Sequence, residues 1–470
     1  MTSWLTRKLQ NLTTGSGEPS SGYSEVINDL QREFNVSSEK LREIADGLKC
    51  EMRKGLEQTG QTVAMVPSYV TGRPDGKEQG RYLALDLGGT NLRVCEVHLS
   101  GDGKVSMKQQ KYTISQELQT GPVRDLFDYM ATCIDKYVTE HSSMETRELP
   151  ATKLGFTFSF PVLQTALDRG TLIHWTKGFN CSGVEGKDIV ELLRDALSRK
   201  NVPVEVLALV NDTVGTLISQ GYKDPNTLLG VILGTGTNGA YFEKISNIKK
   251  LTNTSLNPDD TMVINMEWGA FDNERRVLPV TMFDNKLDRK SVNPRKQTFE
   301  KLVSGMYLGE ISRNVILHLI DRNILFDGYS SADLNKMWSF ETGYMSIIEN
   351  DKSADLTETQ HILENTLSLP KTSLEERRIV KKIVELVGTR AARLAAAAFV
   401  GVTEHCNSVE KGCSIGIDGS LYHHYPGFRE RVRAAMRELL GEKAENIKLT
   451  EASDGSGIGA AIIACLANKA

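Results

Sequence analysis

One short pattern, present twice, limits what this chain can fold into. Tyr82–Val94 reads YLALDLGGTNLRV: an apolar strand over Tyr82–Leu87, the loop Gly88-Gly89-Thr90-Asn91, then an alternating strand over Leu92–Val97. Gly230–Phe242 reads GVILGTGTNGAYF, and aligning Gly89-Thr90-Asn91 with Gly236-Thr237-Asn238 repeats the order of strand, loop and strand. A unit that occurs twice points to two similar halves facing each other. Adjacent glycines let backbone N–H groups approach an anion closely, because no Cβ intrudes and positive φ is cheap. On turn chemistry alone the first copy also reads as a hairpin with a Gly-Gly turn; the recurrence is what favours a ligand loop.

The second copy contains a false lead. Gly234, Gly236 and Gly239 spell G-x-G-x-x-G after a strand, but a dinucleotide fingerprint needs a helix next. Ala240–Ile245 continues as a strand, so a nicotinamide site is excluded.

At 470 residues the chain can bury large cores in two or more domains. A net charge of -4 without a strongly basic block argues against nucleic acid as a partner. No apolar run is long enough to span a membrane, the best candidate being the short stretch Leu394–Val402. The 7 cysteines are scattered, with no C-x-x-C pair, which fits reduced thiols in the cytosol better than disulfides or zinc. At the N-terminus Trp4, Leu5, Leu9 and Leu12 have loosely helical spacing but lack the apolar core of a secretory signal. A frayed segment before a Gly/Ser/Pro linker is expected there, with a weak amphipathic docking helix as the alternative.

The rest of the pattern is α/β. Ser24–Leu56 has helical apolar spacing, with Ser37 as an internal cap. Lys108–Ile114 adds a third strand, and a helix (Val123–Glu140), a strand (Lys153–Phe158), a helix (Asp188–Arg199) and a strand (Val204–Val210) follow. Together they make one mixed-sheet unit from about residue 80 to 212. A second unit opens at Leu228 and turns helical over Glu300–Leu319, Glu375–Val402 and Gly427–Leu440. Cys413–Ile417 is a late strand before Asp418-Gly419-Ser420, and Ser453-Asp454-Gly455-Ser456-Gly457 opens a final helix. Such a loop suits phosphate or ribose, although alone it is an ordinary cap.

Between the two loops lies a polar series: Ser159-Phe160-Pro161, Thr176-Lys177-Gly178-Phe179 and Asn211-Asp212-Thr213. Asp212 closes an apolar strand, where a carboxylate should be hydrogen-bonded or functional, and strand ends are where α/β folds bind ligands. It can take the proton from an alcohol that attacks a phosphoryl group; its plainer role is a cap on Thr213–Ser219. Asp86, also at a strand end, is suited to a magnesium ion held through water. Glu267 in EWG and Glu300 in FEK are spaced neither as a metal pair nor as a glycosidase pair. With Asn211, Asn238, Ser159, Thr176 and Lys177 they can supply the distributed donors and acceptors that a polyol needs.

LDLGGTNLRV, SFP, TKGF, NDT, GTGTN, EWG, FEK, IGIDGSLY and SDGSG, in this order, resemble the hexokinases of eukaryotes, over nearly the whole chain from about residue 25. The likeness is to the single-unit hexokinases and glucokinases. It implies two ribonuclease-H-like domains, as in actin and the sugar kinases, with ATP and sugar in the cleft between them. The large domain would take residues 1–77 and 213–449, and the small domain residues 78–212 and 450–470. The resemblance assigns Asp212 as the base for the sugar 6-hydroxyl, with Lys177 and Arg93 completing the catalytic set. Ser159, Phe160, Thr176, Lys177, Asn211, Asn238, Glu267 and Glu300 would line the sugar. Asp86, Leu87, Gly88, Gly89, Thr90, Asn91 and Arg93 would lie near the phosphates, Asp86 steering hydrated Mg2+. Lys111, Thr235, Asp418, Gly419, Ser420 and Ser456 would contact the rest of ATP. Many relatives carry lysine where this chain has Ile458, a departure that bears on nucleotide or inhibitor affinity. The expected activity is phosphorylation of glucose and related hexoses by a cytosolic monomer, open to inhibition by glucose 6-phosphate. The competing classes are a non-enzymatic ATP clamp of the actin type and a sugar sensor without catalysis; the first has no use for SFP, TKGF and NDT.

Overall fold

The computed structural model describes residues 21–88, 91–141, 151–175, 179–184, 186–252 and 256–469. The N-terminal segment with Trp4, and Gly89, Thr90, Thr176, Lys177 and Gly178, lie outside them.

The first sheet contains β2 (Gln79–Leu87), β3 (Asn91–Gly101), β4 (Lys104–Thr113), β5 (Thr152–Phe158) and β8 (Val204–Val210), in the order β4-β3-β2-β5-β8. β2, β3 and β4 form an antiparallel meander, and β5 and β8 continue parallel to β2. The alternation of β2 explains why both faces are covered. Leu83, Leu85 and Leu87 point into a core made with α3 (Val123–His141) and α4 (Ile189–Arg199), while Tyr82 and Ala84 point into a second core on the opposite face. A hairpin of β6 (Val162–Ala166) and β7 (Arg169–Leu172) forms a separate two-stranded sheet beside β8, where Leu209 N–H donates to the Leu167 carbonyl at 2.8 Å.

The second sheet repeats the plan. β9 (Thr227–Leu233), β10 (Thr237–Lys244), β11 (Thr261–Asn265), β12 (Cys413–Asp418) and β13 (Ile447–Glu451) lie in the order β11-β10-β9-β12-β13, again an antiparallel meander followed by two parallel strands. β1 (Val66–Thr71) is added antiparallel at the β11 edge. The duplicated loop motif therefore marks a duplicated sheet. The outer face of this sheet carries the largest apolar core, shared with α1 (Ser21–Phe34), α2 (Ser38–Glu57), α6 (Met282–Lys290), α7 (Gly305–Asp321), α8 (Thr342–Asn350), α9 (Leu374–His405) and α10 (Phe428–Leu440).

Two helices join the halves by exchange. α5 (Asp212–Lys223) follows β8 of the first sheet but packs on β9 and β10 of the second. α11 (Gly455–Lys469) follows β13 of the second sheet but packs on β2 and β5 of the first. The helices cross where neither can carry a side chain. A Cβ on Gly459 would stand 2.0 Å from the Gly215 carbonyl oxygen, and one on Gly215 would stand 2.9 Å from Ser456 Cα. Ile458, at 7% exposure, is buried in the apolar core at this crossing.

Three expected helices have different bounds. Ser24–Leu56 is broken between Phe34 and Ser38, with Ser37 Oγ accepting from Lys40 N–H at 3.2 Å, so the expected cap starts a new helix. Glu300–Leu319 is broken at Ser304, where Gly305 N–H donates to the Gly234 carbonyl at 2.8 Å and Met306 N–H to that of Thr235 at 3.1 Å. Tertiary bonds there replace the helical ladder. The cap of α5 is Asn211, not Asp212.

Candidate functional site

The first loop is built by a tight hairpin register. Leu87 pairs with Leu92, and Gly88 N–H donates to the Asn91 carbonyl at 3.0 Å. Asp86, directly opposite Arg93 in the ladder, is buried, and its Oδ2 accepts from Arg93 Nε at 3.1 Å, from Arg93 Nη2 and from Ser456 Oγ at 2.9 Å. Arg93 also donates to Ser456 Oγ at 3.0 Å and to Asp454 Oδ1 at 3.0 Å. Burial opposes the guanidinium charge, but the carboxylates of Asp86 and Asp454 outweigh it and hold the Arg93 pKa above its ordinary value. Strand β2, strand β3 and the mouth of α11 thus share one charged network. Lys111 pairs with Arg93 across β3 and β4 and is exposed; Asn91 is exposed at the start of β3; Leu87 is buried, so only its backbone faces the loop.

Magnesium, if held here, fits this donor set only loosely bound to protein. Asp86 offers a single carboxylate whose Oδ2 is already engaged, which suits an ion that keeps waters and takes phosphate oxygens. Among the described residues the one acidic cluster tight enough to grip a metal directly is Glu51, Asp272 and Glu274, which does not include Asp86.

The second loop holds a different set. Gly236 has space only for hydrogen, because a Cβ would lie 2.6 Å from Glu300 Oε2; that oxygen accepts from Thr237 N–H at 3.0 Å. Asn238, Asn265 and Glu267 form a chain of side chains: Asn238 Nδ2 donates to Asn265 Oδ1 at 2.8 Å, and Asn265 Nδ2 to Glu267 Oε1 at 2.8 Å. Glu267 has left-handed backbone angles, φ 54 and ψ 43, an uncommon conformation for a residue with a side chain and one that recurs at functional corners.

At the end of β8, Asn211 Oδ1 caps α5 by accepting from Thr213 N–H at 3.0 Å and Thr213 Oγ1 at 2.6 Å. Asp212 becomes the first helical residue, half-buried, its Oδ1 accepting from Thr213 N–H at 2.8 Å. Asn211 is the cap of α5, and Asp212 places its carboxylate on the first turn of the helix. It stands one helical turn before Gly215, which touches Ser456, so the Asp86–Arg93–Ser456 network lies just beyond it. Ser159 is half-buried at the end of β5. The ring of Phe160 is buried among Phe158, Trp175 and Phe179, with centroids 4.8–5.1 Å away, as part of an aromatic cluster.

Thr235 and Ser420 line a cavity of about 290 Å³ together with Gly234, Met306, Thr342, Ser346 and His424. Gly419, at φ +125, lets the chain after β12 pass against Leu233: a Cβ would be 2.4 Å from its carbonyl. Asp418 is 3.4 Å from His423 Nε2. Met306, Thr342 and Ser346 carried no signal in the sequence, since each sits in a helix of ordinary amphipathic pattern. Asp454 and Asn265 were legible in principle, one inside SDGSG and one two residues before Glu267.

Two models of the family described as "Hexokinase" match residues 26–222 and 228–466. A hexokinase of Kluyveromyces lactis is 43% identical over 455 residues, 95% of this chain and 92% of that protein. Hexokinase-1 of Schizosaccharomyces pombe is 41% identical, covering 94% and 91%. Among solved structures, a hexokinase from Schistosoma mansoni complexed with glucose superimposes with a TM-score of 0.85 at 37% identity, covering 94% of this chain and 99% of the other. With its paired sheets, its exchanged helices and family matches over residues 26–222 and 228–466, the chain belongs to the hexokinase family.

Proposed function

We propose that this protein transfers the γ-phosphoryl group of ATP to the 6-hydroxyl of glucose and related hexoses, giving hexose 6-phosphate and ADP. The observation that carries this is the placement of Asp212: a half-buried carboxylate at the first residue of α5, directly after the Asn211 cap and one turn from the crossing that bears the Asp86–Arg93–Ser456 network. Phosphoryl transfer asks a protein mainly for positioning and charge stabilisation. Asp212 accepts the proton of the attacking hydroxyl. Arg93, kept cationic by Asp86 and Asp454, faces the charge that develops on the phosphoryl oxygens. When bound, Mg2+ neutralises phosphate charge, with Asp86 as its protein contact through water. Glu267, Glu300, Asn238 and Asn211, together with Ser159, Thr176 and Lys177, hold the remaining hydroxyls. The cavity behind Thr235 and Ser420 takes the nucleoside end of ATP.

The small domain comprises residues 78–212 and 450–470 and the large domain residues 1–77 and 213–449, with the exchanged helices α5 and α11 between them. Water competes with the sugar as acceptor, so sugar binding closes the halves before the phosphate is aligned. Glucose 6-phosphate competes at the same anion loops. The test is sugar-dependent ADP release with glucose, fructose, mannose and glycerol, on wild type and Asp212→Asn. We expect hexose-dependent release, and for the variant a turnover lower by about 10²–10⁴ with glucose binding retained. Variant turnover within a few-fold of wild type removes Asp212 from the role, and no hexose-dependent ADP removes the reaction.

A further inference from the structure

We infer that Asn265 is the positioning residue that aims two sugar ligands, Asn238 and Glu267, by fixing the direction of a hydrogen-bonded relay. The inference rests on the sugar-ligand reading of those two residues. Asn265 ends β11 and is 9% exposed; its backbone pairs with Ala240 on one side and Val66 on the other, so its Cα cannot drift. Gly239 N–H donates to Asn238 Oδ1 at 2.7 Å, Asn238 Nδ2 to Asn265 Oδ1 at 2.8 Å, and Asn265 Nδ2 to Glu267 Oε1 at 2.8 Å. The two ends set the polarity. A backbone amide can only donate and an ionised carboxylate can only accept, so each carboxamide between them has one allowed orientation. Asn238 also reaches Glu267 Oε1 directly, at the longer 3.4 Å. The corner that Glu267 occupies, with φ 54, is pinned at the residue before it: Met266 N–H donates to the Gly239 carbonyl at 2.9 Å and Met65 N–H to the Met266 carbonyl at 3.0 Å. Backbone and relay together orient the Glu267 carboxylate through its Oε1.

The test is steady-state kinetics of N265A, E267Q, N238A and the double variant N265A/E267Q. For N265A we expect the glucose KM to rise about 10–100-fold, the scale of a lost hydrogen bond to a charged group, with the ATP KM unchanged and kcat within a few-fold. E267Q should raise the glucose KM too, and the double variant should be no worse than the poorer single, because both act on one unit. Penalties that multiply, or an N265A whose glucose KM matches wild type while E267Q and N238A are impaired, overturn the relay alone. E267Q and N238A that both keep the wild-type glucose KM overturn the sugar-ligand reading, and the relay with it. Should N265A fold poorly, N265D keeps the shape but sets two carboxylates face to face. Its glucose KM, relative to wild type, should then fall from about pH 8 to about pH 6 as one proton comes to be shared. A ratio flat with pH assigns Asn265 to packing and overturns the relay.

Discussion

The crossing of α5 and α11 offers a graded test of the backbone contact between the halves. A Cβ at Gly459 would meet the Gly215 oxygen at 2.0 Å and its carbonyl carbon at 2.4 Å, where packed atoms stand about 3.4 Å or more apart. Both partners are helix backbone, so no side chain can swing aside, and the helices must part by more than about 1 Å. Overpacking of this kind costs about 3 kcal/mol, the upper end of the usual range. Replacing glycine by alanine inside a helix returns about 1 kcal/mol, leaving Gly459→Ala destabilised by about 2 kcal/mol. Gly457→Ala, two residues away, meets only Cys95 Sγ at 3.5 Å and Met107 Sδ at 3.9 Å, ordinary contacts, and should gain the about 1 kcal/mol intact. Gly215→Ala, at 2.9 Å from Ser456 Cα, should fall between them. For a chain of 470 residues, 1 kcal/mol is roughly 1 °C in Tm, so scanning calorimetry should separate Gly457→Ala from Gly459→Ala by roughly 3 °C. Turnover should also drop in Gly459→Ala, because parting the helices moves Asp212 relative to Ser456. Equal melting of Gly459→Ala and Gly457→Ala would refute the close crossing.

Two further outcomes follow from charge. Arg93→Lys keeps the cation but loses the fork that spans Asp86, Asp454 and Ser456; kcat should fall about 10²-fold or more, and near-normal kcat would reduce Arg93 to a structural pin. Burial pushes the carboxyl of Glu51 up to about 7, against a backbone hydrogen bond from Asp272 that lowers it and the charges of Glu274 and Asp272 that raise it further. The folded state therefore binds the extra proton, and stability should fall as pH rises from the ordinary carboxylate range through 7. Discounted for partial exposure, the loss is about 1–2 kcal/mol; Glu51→Gln should recover it at pH 8 and flatten the pH dependence, and an unchanged slope would sink the assignment.

The repeated Gly-Thr-Asn loops disclosed the paired sheets because a loop that needs small and polar residues leaves a literal trace in the chain. Other features leave none. The apolar periodicity of Glu300–Leu319 runs unbroken through Ser304, and the break comes from carbonyls of Gly234 and Thr235 some seventy residues away. Asn211 and Asp212 are equally good caps by local chemistry, and only the register of β8 into α5 selects the first. The exchange of α5 and α11 is equally silent, since an apolar stripe does not say which sheet it will cover. The candidate polar residues could be grouped from the sequence because their types match one chemistry, whereas Asn265, which contacts Asn238 and Glu267, looks like any asparagine at a strand end.

The swap of helices has a consequence for how the molecule is made. Asp86 and its partner Ser456 are 370 positions apart, so the inner face of the first sheet stays uncovered until nearly all of the second half has been synthesised. A nascent first half would expose Tyr82, Ala84 and Val210 to water, or to chaperones, for that whole interval. Maturation would then finish in one late, long-range docking event.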